Sequence, residues 1–313
     1  MLLTGVAVAW FWPAGLAWTE HVPAQLVMAL ILFVSAWTLE SRLLYAAVLQ
    51  PWPALWALVI SYGLLPALGW ATGFLLPVID FRIGVMLCAS VPCTLASAVL
   101  WTRMAGGNEA VALLATFLTT GVSWVATTAW LTATTSSVVA IDTNAMMVNL
   151  LLILVAPVVV GQLARAVPVL RRTAMGLKTP LSVLARLLIL VIMLRAVLAV
   201  LVQLGDRAAT LGAGPIVLTA VLCLGNHLLA LYAGYWSSGW LGFPRPAQIA
   251  VAFAGSQKTL PVSLALLELY FNDYPLAVVP LLFYHAGQLI ADTFIAEQWA
   301  AARPAPADSP GSA

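Results

Sequence analysis

Apolar runs dominate this chain, and the residues that interrupt them recur at regular intervals. Ten stretches of roughly 20 residues, the length an α-helix needs to cross a bilayer, lie at about 2–18, 23–39, 53–76, 83–101, 109–131, 146–165, 181–201, 215–236, 247–269 and 275–297. Charged or Pro/Gly-rich segments separate them. The pattern predicts an all-α integral membrane protein with ten transmembrane helices. The first stretch has no charged segment before it, so it reads as a spanning helix rather than a cleaved signal. The last eleven residues, "RPAPADSPGSA", are rich in Pro, Ala and Ser and predict a disordered tail over 303–313.

Composition agrees with the pattern. Hydrophobic residues make up 63% of the 313 positions and charged residues only 8%, against about a quarter charged in soluble domains. Mean hydropathy is +1.03. A net charge of +2 gives no footprint for nucleic acid. The three cysteines, Cys88, Cys93 and Cys223, sit in apolar stretches without zinc-type spacing and read as small hydrophobes, so neither metal nor cofactor is expected.

Charge placement sets the orientation. With the N-terminus inside, the inner loops hold eight cations: Arg42, Arg103, Arg165, Arg171, Arg172, Lys178, Arg245 and Arg303. The outer loops hold only Arg82 and Arg207. The positive-inside rule therefore places both termini in the cytoplasm of a multi-pass protein of the cell (inner) membrane. Arg186 and Arg195 lie close enough to the ends of the seventh span to snorkel to headgroups. Lys258, at the centre of the ninth, has no such escape.

Polar residues near the midplane are the most informative, because hydrocarbon penalises them most. They are Thr94 and Ser97 in the fourth span, Thr119 and Thr120 in the fifth, Asn226 and His227 in the eighth, Ser256, Gln257, Lys258 and Thr259 in the ninth, and His285 in the tenth. Five helices must then converge on a buried, partly hydrated site, while spans 1, 2, 6 and 7 are apolar at that depth. The chain also repeats. "TLAS" at Thr94 and "TLPVS" at Thr259 lie 165 positions apart, and Asn108-Glu109 and Asn272-Asp273 lie 164 apart. Five spans per half invert the second half relative to the first, which predicts two inverted repeats, 1–140 and 141–302. Spans 4 and 9 are equivalent in that scheme, and both carry helix breakers at mid-depth: Pro92 in one, Gly255 and Pro261 in the other.

The stretches "SVPCTLASAVLWTRMAGGNEAVALLATFL", "FAGSQKTLPVSLALL" and "VVPLLFYHAGQLIADTF" resemble the divergent, SBF-like branch of the bile acid:sodium symporter superfamily. The resemblance implies a panel of helices 1, 2, 6 and 7 beside a core of helices 3, 4, 5, 8, 9 and 10, in which discontinuous helices 4 and 9 cross. It also implies departures. Phe253 and Lys258 stand where sodium-coupled members carry a glutamate and an asparagine, and Ser97-Ala98 replaces their Ser-Asn pair. An acid and an amide are lost and an ammonium gained, so the usual sodium sites are not expected.

Three roles for Lys258 stay open at this level: a fixed charge standing in for Na⁺, a proton carrier making H⁺ the coupling ion, or a permanent structural partner of a core acid, for which Glu109 is the preferred neighbour. His285, Gln288 and Asp292 share one face of the tenth helix as a proton path or as interhelical hydrogen bonding. Asn108 and Glu109 read first as the cap of the fifth helix and second as cation ligands. Thr116, Thr119, Thr120 and Ser123 form a hydroxyl stripe. The reading is a secondary transporter, monomeric or homodimeric, moving a small organic anion or amphipathic carboxylate by alternating access. The alternative is a non-transporting regulatory membrane protein linked to calcium homeostasis. No enzyme motif is present.

Overall fold

The computed structural model describes residues 23–39 and 47–302, with Gly15, Trp18 and Thr19 ahead of them. Most of the expected first span and the whole of the 303–313 tail lie outside the described residues. Every regular element among those described is helical. They are α1 (Ala24–Thr38), α2 (Trp52–Gly73), α3 (Ile79–Ser90), α4 (Ser97–Met104), α5 (Glu109–Thr135), α6 (Thr143–Ala166), α7 (Pro168–Gly176), α8 (Lys178–Leu211), α9 (Ala213–Trp240), α10 (Arg245–Ser256), α11 (Leu260–Tyr270) and α12 (Val278–Ala301).

Among the described residues, six helical stretches are long and apolar enough to cross a bilayer, counting Arg245–Tyr270 as one. A seventh is added if α7 and the start of α8, bent by 72° where they join, form a single span. The protein is thus a multi-pass, all-helical membrane protein. Length alone yields fewer spans than the apolar pattern predicts because most of the first expected span lies outside the described residues, α1 has 15 residues, and α3 and α4 are pieces of 12 and 8.

The breaks follow from proline chemistry. Pro92 forces the residue before it out of the helical region, and Val91 is extended at ψ 163°. Pro261 lacks an N–H and so suits the first turn of a new helix. It opens α11, after Gln257 and Thr259 have run extended at ψ 142° and 114°. Gly255, expected as a breaker, instead lies inside α10. A Cβ there would come 2.9 Å from Ile60 Cγ2, so its missing side chain lets α10 press against α2.

The broken helix is central: 94% of its most apolar window is buried. α10 packs against α9, α2, α5 and α4, and α3 against α2, α5 and α12. A second group forms where α1 packs on α6 and α8. There Gly161 lets α6 approach the carbonyl of Phe33, and Gln162 and Arg165 donate to the terminal carbonyls Ala36 O and Trp37 O of α1 at 2.5 and 2.9 Å.

Two details depart from the sequence expectation. Residues 168–176, read as part of an inner loop, fold into a helix opened by Pro168, with Val169 and Met175 exposed. Arg195 does not snorkel free: its Nε lies 3.2 Å from Glu268 Oε1 of α11.

Candidate functional site

Where α3 and α10 stop, each exposes carbonyls that a continuous helix would have used, and buried carbonyls need donors. Partners come from the facing break and from α5. Thr259 N donates to Pro92 O at 3.2 Å, Cys93 N donates to Thr119 Oγ1 at 3.3 Å, and Thr127 Oγ1 donates to Ser90 O at 2.7 Å. The breaks at 91–96 and 257–259 therefore touch.

Lys258 is 2% exposed. Its ammonium donates to Val91 O at 2.8 Å, Ser61 O at 2.7 Å and Ser61 Oγ at 2.9 Å, and lies 4.8 Å from the centre of the Tyr62 ring, a cation–π distance. The Ser61 carbonyl is available for a backbone reason. Residues 60–64 form a π turn in which Leu65 N reaches Ile60 O. In that register the donor to Ser61 O would be Pro66, which has no N–H. The next carbonyl, Tyr62 O, accepts from Trp130 Nε1 at 2.7 Å. At the other end the ammonium sits on the C-terminus of α3, where the helix dipole favours a cation. Desolvating a charge costs several kcal/mol. Three oxygen acceptors and an aromatic face offset that here.

Gln257 joins the breaks through its side chain. Its Oε1 accepts from Thr94 Oγ1 at 2.9 Å and Ser97 Oγ at 2.8 Å, and those two hydroxyls also contact each other. Its Nε2 donates to Asp292 Oδ2 of α12 at 2.5 Å. Asp292 Oδ1 lies 2.8 Å from His227 Nε2 of α9, with both side chains fully buried. The other imidazole nitrogen, Nδ1, faces Ser256 O at 3.3 Å. Gln288 pairs with the Lys258 main chain in both directions, accepting from N at 3.0 Å and donating to O at 2.9 Å.

Of the sequence-predicted residues, Thr94, Ser97, Thr119, His227, Ser256, Gln257, Lys258 and Thr259 come together. His285 Nδ1 joins the edge, 3.1 Å from Gln288 Nε2. Thr120 turns its hydroxyl to Thr116 O of its own helix, and Ser256 does the same towards Ala252 O. Asn226 donates to Thr72 Oγ1 at 2.8 Å, tying α9 to α2 away from the breaks. Asn108 caps α5, accepting from Ala110 N and Val111 N at 3.0 and 3.3 Å. Glu109, proposed from sequence as the acidic neighbour of Lys258, is instead paired with Arg103. The cap fixes Glu109 in the first turn of α5, beside the arginine that ends α4.

Sequence reasoning left out Ser61 and Tyr62, and gave Asp292 only a conditional part. The proline five positions after Ser61 is the signal that could have found the first. The polar groups also meet in direct contact rather than across the partly hydrated space expected: Gln257, His227 and Asp292 are 0% exposed.

The model of the SBF-like CPA transporter family matches residues 1–301. A protein of Oryza sativa subsp. indica named "probable sodium/metabolite cotransporter BASS4, chloroplastic" is 27% identical over 292 residues, covering 86% of this chain and 67% of its own length. The "sodium/bile acid cotransporter 7" of Danio rerio is 24% identical over 210 residues, covering 66% of this chain and 62% of that protein. Both names describe cotransporters, not enzymes.

Proposed function

The chain belongs to the SBF-like CPA transporter family, and from that premise we propose that it is a secondary transporter moving a small organic anion or amphipathic carboxylate by alternating access. The observation that carries the reading is the joining of two helix breaks by a buried ammonium with three oxygen acceptors. In this proposal ten helices form two inverted repeats, 1–140 and 141–302, whose equivalent helices are the two broken ones. Their breaks lie 165 positions apart at Thr94 and Thr259, and Thr94 hydrogen-bonds the residue two before Thr259. A core of α2–α5 and α9–α12 rocks against a panel containing α1, α6 and α8. Both termini lie in the cytoplasm, as the loop charges suggest.

The usual sodium sites are absent in this reading. Sodium is a hard cation that takes oxygen ligands, and the ammonium already holds the oxygens at the end of α3. With its three hydrogens engaged, Lys258 acts as a fixed charge rather than as a carrier of protons. The positive charge and the N-terminal ends of α4 and α11, which favour negative groups, suit a carboxylate. A narrow apolar cleft between α1, α6 and α11, with room in this structure for no more than a water-sized molecule, is lined by Met28, Leu150, Ile153, Val262 and Leu266.

The test is a thermal-shift screen of the purified protein against organic anions, cations and neutral solutes, with Na⁺, K⁺ and pH varied independently, followed by uptake into proteoliposomes. Ligands that bind the native state stabilise it by mass action. Stabilisation and uptake of carboxylates without a Na⁺ requirement are expected. Stabilisation and accumulation of cations or neutral solutes alone would overturn the proposal.

A further inference from the structure

The cations of this chain are concentrated where α6 gives way to α8. Between Asp142 and Asp206 the sequence holds Arg165, Arg171, Arg172, Lys178, Arg186 and Arg195 and no acid. Arg165 donates to Trp37 O, and Arg195 pairs with Glu268. Arg171 and Arg172, adjacent on α7, are exposed and have no acidic partner among the described residues. Charge of one sign, unbalanced on a short element, attracts an anionic partner.

The shape of α7 narrows the choice of partner. Pro168 opens it after Val167 has run extended at ψ 121°. At 3.6 residues per turn, Val169, Leu170 and Ala174 fall on one side of the helix and the two arginines on the other, with Met175 between the arginines. Ala174 is the buried residue of α7, which packs on α6, α1 and α8. Val169 is nevertheless 68% exposed and Leu170 40%. Uncovered apolar side chains beside paired guanidinium groups suit neither water nor hydrocarbon alone. They suit the boundary, where one face of a helix reaches acyl chains and the other reaches headgroups.

The setting of α7 puts it at that boundary. It meets the start of α8 at 72°, and a helix at that angle to a spanning neighbour lies close to the membrane plane. α8 has 34 residues, about 51 Å at 1.5 Å per residue, so it crosses the hydrocarbon, about 30 Å thick, without help from α7. α6 has 24 residues, about 36 Å, and is also complete. α7 thus joins the ends of two spans at headgroup depth. By the loop charges that end faces the cytoplasm, where anionic lipids give the leaflet a negative surface potential.

We propose that α7 is an in-plane helix whose Arg171 and Arg172 bind the headgroups of anionic phospholipids, holding the group of α1, α6 and α8 in the headgroup layer. This goes beyond the transport reading and depends on no substrate. Native mass spectrometry of the full-length purified protein, titrated with phosphatidylglycerol or phosphatidylcholine, measures the binding. Phosphatidylglycerol should bind the wild type more tightly than phosphatidylcholine. Arg171→Gln with Arg172→Gln should weaken it by about thirtyfold, the factor that two basic side chains near an anionic surface carry, whereas Arg171→Lys with Arg172→Lys should keep most of it. Both arginines are exposed, so the substituted proteins are expected to fold. The position of the helix is read separately in vesicles of phosphatidylcholine with one-third phosphatidylglycerol. An environment-sensitive fluorophore on Val169→Cys should be quenched by lipid spin-labelled near the top of the acyl chain, and one on Arg172→Cys by aqueous iodide. The native cysteines are buried.

Equal binding of the two lipids, or an equal loss in the glutamine and lysine pairs, overturns the headgroup site. Displacement of phosphatidylglycerol by inorganic phosphate at constant ionic strength would make α7 a site for small soluble anions and overturns the lipid assignment. Both fluorophores open to iodide would place α7 in water, and both quenched only from deep in the acyl chains would place it inside a bent span. Either result ends the in-plane reading and leaves the anion transport reading untouched.

Discussion

At the scale of single residues, the ammonium of Lys258 matters more as a donor of three hydrogen bonds than as an ion-pair partner. Lys258→Met keeps the apolar stem but leaves Val91 O and the Ser61 oxygens without their donor. The expected cost is about 1–3 kcal/mol, the range for stranding buried polar groups, partly offset by the charge no longer desolvated. A lower melting temperature for Lys258→Met in chemical or thermal denaturation, with Lys258→Arg also below wild type because its fork does not fit a point-charge nest, checks this. The residue was legible in the sequence because a charge in mid-span is costly enough to announce itself. Gln257, Thr94 and Ser97 were legible for the same reason. Its partners were not, since two of the three acceptors are main-chain carbonyls, which every residue possesses. Glu109 misled because formal charge alone nominates it, whereas its actual place follows from the Asn108 cap and the nearby Arg103.

At the scale of elements, the π turn in α2 converts the missing N–H of Pro66 into a docking point for another helix. Pro66→Ala restores a donor within reach of the Ser61 and Tyr62 carbonyls, so the ammonium and Trp130 Nε1 gain a competitor. The expected outcome is a regularised α2 but weaker protection of the 257–259 break in hydrogen–deuterium exchange. A break equally protected in both proteins would show that the turn is not what positions Lys258. Gly255 gives a second test. In Gly255→Ala the new methyl meets Ile60 Cγ2 at 2.9 Å, and overpacking of this kind costs about 1–3 kcal/mol. Ile60→Val in the same chain should recover part of the loss, and a double-mutant cycle measures the coupling. The breaks themselves were readable from Pro92 and Pro261. The π turn and α7 were not, because a pattern of apolar positions does not distinguish a widened turn from an ordinary one, and a short basic segment can end as loop or helix according to what it packs upon.

At the scale of the molecule, the two helix groups are tied together at one end. Arg195 of α8 meets Glu268 of α11 at 3.2 Å, and Asn149 Nδ2 of α6 donates to Tyr270 OH of α11 at 2.7 Å. Both ties involve the last turns of α11. At the opposite end α4 and α10 pack on α5, α9 and α12, within their own group. If the groups rock, this structure is the one closed at the α11 end, and these ties help hold it. A half-exposed ion pair contributes about 0–1 kcal/mol and a hydrogen bond about 0.5–1.5 kcal/mol. Removing both in Glu268→Gln with Tyr270→Phe should therefore shift the equilibrium by roughly tenfold, since about 1.4 kcal/mol corresponds to that factor. The shift can be read without knowing the substrate. Leu266 lines the cleft between the groups, so Leu266→Cys labelled with a membrane-impermeant maleimide from the α11 side reports opening there, and the native cysteines are buried. Labelling about tenfold faster in the doubly substituted protein is the expected result. Equal rates with and without the ties would mean that the rest of the interface, the packing of α6 on α5 and of α11 on α1 and α8, sets the closed state by itself.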